Sequence, residues 1–230
     1  MSNTTSGAYQ FDQDFSIDEI ISDAYERIGL VGTSGHQLKT ARRSLNILFQ
    51  EWGNRGLHFW EVGNTNVTLI QGSSTNVDAT DEGAGTYTFY RNAVDSAAAA
   101  AASPQATTVP TANVYGITDI LNIGFRQNYN TTSQSDVALS KVDRSAYSGT
   151  ANKATVGTPS QFWVQRFIDR VTVTLYPLPN AAAAAATSKL MVYYVKRIQD
   201  VGAFSNATDT PFRFVPCMVS GLTYLLSQKF

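Results

Sequence analysis

Only 15% of the 230 residues are charged and the formal net charge is −1, so the chain lacks the basic excess of a domain that wraps phosphate, and any DNA contact has to be local. A hydrophobic content of 43% supplies one sizeable core or two modest ones, as in a globular protein. One cysteine, Cys217, excludes an internal disulfide, and with two histidines a Cys/His zinc cluster cannot be assembled.

The first ten residues have neither the basic flank nor the apolar run of a signal peptide, and no later stretch has the length and apolarity to span a bilayer. The expectation is a protein made in the cytoplasm without a membrane partner. Ser16 and Glu19 have capping-box spacing, with Phe15 and Ile20 placed as a hydrophobic staple across it, so a helix starts there. Ile17, Ile20, Ile21, Ala24 and Ile28 form its buried stripe, Asp18 and Glu19 suit the positive end of the helix dipole, and Gly29 closes it. Tyr25 and Arg27 are expected at the outer edge.

A short loop leads to a second capping box, Ser34 with Gln37, which predicts an antiparallel helical hairpin. Leu38, Ala41, Leu45, Leu48 and Trp52 recur at spacings of three and four and so share one stripe; Lys39, Arg42, Arg43, Asn46 and Gln50 take the other side. Gly53 and Gly56 mark the exit.

From Asn64 the period changes to that of a strand, with Val67 and Leu69 alternating against Thr65, Thr68 and Ile70. Residues 86–90 read as a second strand, 93–110 as an exposed low-complexity loop, and 117–127 as a third strand. Asp143 is placed to cap a short helical turn around Tyr147. Residues 161–167 and 170–176 predict a hairpin turning at Ile168 and Asp169 and ended by Pro177 and Pro179. A last strand over 189–198 follows the alanine run 181–186, which falls in a loop like the earlier run 97–102. After Pro211 the helical period returns through Val215, Met218, Val219, Leu222 and Leu225 or Leu226. This helix reaches Phe230 without a stop signal, which suggests further sequence or ordering against a neighbour.

The fold class predicted is α+β: an N-terminal helical hairpin and a C-terminal helix packed together, with an inserted small antiparallel β-domain. The domains expected are 1–60 plus 211–230 for the helices and 61–210 for the sheet.

Specific chemistry finds no motif to rest on. A phosphate-binding GxxxxGK[ST] is absent, and Gly83-Ala84-Gly85 lacks a third glycine. His36 and His58 have no serine or cysteine motif beside them, and Cys217 lies in an apolar segment that predicts a core position. Asp78, Asp81 and Glu82 lack calcium-loop spacing, and nothing fixes the separation of Glu51 from Glu61. No catalytic, cofactor-binding or metal-ligating residue is therefore assigned, no cofactor is expected, and the chain is read as a non-enzyme. Lys39, Arg42 and Arg43 form the one basic cluster, with Asp18, Asp23 and Glu26 as carboxylates able to meet it across a subunit interface. A solvated helix face is the alternative.

Several segments together resemble a known family. AYERIG at 24–29, AxRSLNxLxxEWxNRGxxxW at 41–60, GxPxQ…R…LYPxP at 157–179, YYxxRIQDV at 193–201 and PxRFVPxxVxGLxYLL at 211–226 resemble, in this order, the head-to-tail adaptor proteins of short-tailed bacteriophages. The loop 73–110 departs from the family pattern, as does the lack of a C-terminal continuation. The resemblance implies a structural virion protein of the neck or tail. It would be a homo-oligomeric, dodecameric ring docked on the phage portal protein above and a tail nozzle or tail tube protein below, with packaged DNA passing through its lumen. A tail-associated carbohydrate- or receptor-binding module is the alternative suggested by the Asn/Thr-rich, aromatic strands, and a cell-wall hydrolase ranks third.

Overall fold

The computed structural model describes residues 16–31, 34–57, 60–72, 85–92, 116–203, 205 and 207–230. Phe15, His58, the acidic residues 78, 81 and 82, and the loop 93–110 with its alanine run lie outside them. The chain is α+β and divides into two compact units, Met1–Trp60 with Ile198–Phe230 and Glu61–Arg197.

The first unit is helical. Helix α1 (Ile17–Ile28) and helix α2 (Gly35–Asn54) both open on complete capping boxes: the Ser16 and Ser34 hydroxyls accept from the backbone at Glu19 and Gln37, whose side chains reach back to the cap N–H groups. Gly29 ends α1 at φ 80°, a left-handed turn that glycine adopts without strain. The C-terminal helix, labelled α4 below (Val215–Ser227), packs on both α1 and α2, which touch each other over a shorter length. Its Gly221 lets α2 approach closely, since a Cβ there would stand 2.9 Å from a Leu48 methyl.

Two expectations need correction in this unit. Tyr25 is fully buried: it continues the line of Ile17 and Ile21 at intervals of four, and its hydroxyl donates to the Gln37 carbonyl at 2.8 Å while the Phe230 ring packs on it edge-on. Helix α2 ends at Asn54, between Gly53 and Gly56, and Gly56 takes the left-handed conformation, so the two glycines mark the exit as expected. The stretch 198–210 belongs with the helices because Ile198 and Val201 are buried in their core.

The second unit is a two-layer β-structure. One sheet has the order β1 (Val62–Thr68), β10 (Lys189–Lys196), β3 (Ile117–Gln127), β4 (Ser135–Ala138); the other has β2 (Thr86–Tyr90), β8 (Arg170–Tyr176), β7 (Gln161–Arg166), β5 (Ser140–Val142). Val67, Ile120, Phe125, Leu190 and Val192 of the first share one core with Tyr87, Phe89, Phe162, Val171 and Val173 of the second. The chain passes between layers at Leu139, buried between β4 and β5. Helix α3 (Arg144–Ser148) is capped by the Asp143 carboxylate, which accepts from the Ala146 N–H at 2.7 Å, and its Tyr147 stacks on Trp163.

Pairing is antiparallel except for β5 with β7 and the small pair β6 (Val156–Gly157) with β9 (Leu178–Pro179). Strand β3 meets β10 through two register shifts, so that Ile117, Ile120 and Ile123 all point inward although they are three residues apart. A simple alternation of two misses this, because each bulge adds a residue and resets the face. Beyond the cis Tyr176–Pro177 bond, Leu178 sits against Gly72 and Gly85, where added Cβ atoms would approach its side chain to 2.6 Å. Within the alanine run 181–186, Ala183 is buried in the core.

Candidate functional site

The basic cluster on α2 separates into two parts. Lys39 and Arg43 lie one turn apart and continue through Ile47, Gln50 and Asn54 as an exposed stripe. Arg42 faces a different direction, where its Nε donates to the Val201 carbonyl at 2.8 Å. One turn further along, the Asn46 side-chain oxygen accepts from the Val201 N–H, also at 2.8 Å. Two side chains at positions i and i+4 thus satisfy both backbone groups of a residue that is 1% exposed. Arg42 is therefore part of the scaffold that holds the returning chain on α2, a role its grouping with Lys39 and Arg43 concealed.

The acidic candidates divide in the same way. Asp23 pairs with Arg27 of its own helix at 3.1 Å, and Arg27 also reaches the Ser220 hydroxyl at 3.4 Å. Asp18 and Glu26 lie with Ser22 along the exposed line of α1 at intervals of four. Among the described residues, the side chains of Asp18, Glu26, Lys39 and Arg43 enter no ion pair or hydrogen bond. The helical unit thus presents an acidic stripe on α1 and a basic one on α2, the latter with a large apolar side chain, Ile47, 49% exposed in its midst.

Charges of the sheet unit are arranged otherwise. Arg126 holds Asp136 through two bonds of 2.7 and 2.6 Å, and Arg166 holds Asp119 through two of 2.9 and 2.8 Å. The Arg126 fork is the main cause that lowers the pKa of Asp136. For Asp119, burial works against ionisation, but the Arg166 bond, the Ile120 N–H and the charges of Arg166 and Lys141 outweigh it, so its pKa is lowered too.

Other candidates find ordinary places. Cys217 is exposed: two residues past Val215 and one before Met218, it falls off the buried stripe of α4. His36 is exposed in the first turn of α2. Glu51 pairs with Arg55 on the surface of α2, whereas Glu61 is buried at the start of the sheet unit. Ser44, placed by no sequence signal, is buried under a bond from the Lys229 ammonium at 2.7 Å. Among the described residues no group of three His, Cys, Asp or Glu side chains is placed to hold a metal ion.

No family model matches the chain, and no curated protein sequence matches it. Among the described residues, no helix is long and apolar enough to cross a membrane.

Proposed function

We propose that the chain is the subunit of a ring-forming head-to-tail adaptor in a short-tailed phage virion. It would dock under the portal and extend the DNA channel towards a tail nozzle or tube, acting as a structural protein and not as an enzyme. The observation that carries this reading is that three of the resembling segments, 41–60, 193–201 and 211–226, lie far apart in sequence yet supply residues that touch one another in the helical unit. Asn46 of the second segment bonds Val201 at the end of the fourth. Phe214 of the last packs on Trp52 and Trp60 of the second, with ring centroids 5.9 and 4.5 Å away, and Gly221 receives Leu48. A set of motifs that meet in space describes one shared packing arrangement better than isolated matches would.

Negative-stain imaging of the protein mixed with the portal of the same phage tests the reading. A ring of density added to one end of the portal is the expected result. Portals that stay bare at micromolar protein would overturn it.

A further inference from the structure

We infer that the exposed stripe of α1 and the exposed stripe of α2 are the two halves of one heterologous contact between copies of this chain. Asp18 and Glu26 of one copy face Lys39 and Arg43 of the next, around Ile47 as the apolar anchor. The inference rests on the ring-forming reading and names the seam of that ring.

Three observations lead to it. The stripes are opposite in sign and carried by helices that share one core, so each copy offers one of each, as a head-to-tail interface requires. The candidate charges used inside the fold, Arg42 and Asp23, are those that leave these stripes, while the four that remain point outward. Ile47 then occupies a position on the same line as Lys39 and Arg43 where a polar residue would cost nothing, and its exposure of 49% gives the stripe an apolar centre with a charged rim. With a net charge of −1 the chain carries its own complement. A second copy is thus a partner whose charges complement these.

The contact is tested with two reversal variants, Lys39→Glu with Arg43→Glu and Asp18→Lys with Glu26→Lys, followed by sedimentation velocity over a concentration series at low and high salt. Wild-type protein is expected to self-associate, less so as salt screens the charges. Each variant alone is expected to lose association, since like charges then face each other, and an equimolar mixture to regain it through alternating copies. Ile47→Ser is expected to weaken association at either salt concentration. Should a reversal disturb α1 or α2 by circular dichroism, Lys39→Gln with Arg43→Gln replaces it and is expected to weaken association roughly tenfold. Wild-type association in the variants, or a mixture that fails to recover, would overturn the seam and leave the adaptor reading to the portal experiment. A wild-type chain that remains monomeric at every concentration overturns the seam as well, and bare portals in the imaging experiment would remove the adaptor reading separately.

Discussion

The two units handle charge in opposite ways. In the sheet unit Arg126 and Arg166 each clasp an aspartate with two bonds, tying β3 to β4 and to β7. In the helical unit Asp23 with Arg27 and Glu51 with Arg55 form ion pairs between exposed neighbours one turn apart, a type worth a few tenths of a kcal/mol. The helical unit is held instead by apolar packing and by polar groups placed on backbone atoms, which leaves a surplus of charge on its surface. Forked pairs tie strands together in one unit, whereas Asp18, Glu26, Lys39 and Arg43 of the other stay on its surface.

This contrast fails first if apolar packing does not carry the helical unit. Trp52 is 9% exposed and lies between Phe49 and Phe214, with ring centroids 6.0 and 5.9 Å away. Trp52→Ala is expected to cost about 3–5 kcal/mol, the range for removing a large aromatic side chain from a core. Denaturant unfolding followed by the helical circular dichroism band measures it. A midpoint equal to that of wild-type protein would place Trp52 outside the core.

How much of each unit was legible follows from how locally it is encoded. The starts of α1 and α2 were readable because a capping box is complete within four residues, and the ends of β2 and β3 agree with the expected 86–90 and 117–127. Tyr25 was misplaced because its burial depends on Gln37 and Phe230, neither of which is near it in sequence. The inward positions of β3 are not legible from alternation, because bulges against β10 shift the phase, and a bulge is a property of a pair of strands. Likewise the basic cluster was visible as three charges, whereas the departure of Arg42 from it required knowing that Val201 returns to α2.

That clamp gives the next largest effect. Asn46→Ala leaves the buried Val201 N–H without its acceptor, a loss expected at about 1–3 kcal/mol. Arg42→Gln removes the donor to the Val201 carbonyl and is expected to lower the melting temperature by a comparable or smaller amount. Thermal melts followed by the helical circular dichroism band measure both, and a melting temperature equal to that of wild-type protein in both variants would remove this clamp from the scaffold.

The smallest expected effect probes the sheet unit. Asp119 and Asp136 have their pKa values lowered on folding, so the unfolded chain takes up protons first as pH falls. Their contribution is complete above the ordinary aspartate value of about 4 and is lost as pH drops through the lower folded values. Side-chain exposures of 31% and 45% limit each pair to at most about 1 kcal/mol. Trp163 lies in the sheet unit, and Trp52 and Trp60 in the helical one, so a Trp52→Phe, Trp60→Phe protein reports the sheet unit by fluorescence. The second change also removes a buried indole N–H that has no partner among the described residues. In that background Asp119→Asn with Asp136→Asn should lower stability at pH 7 and leave it nearly unchanged at pH 2, where the wild-type carboxylates are themselves protonated. An equal loss at both pH values would mean that the two forks act through packing, and the contrast between charges that tie strands together and charges that stay on the surface would not hold.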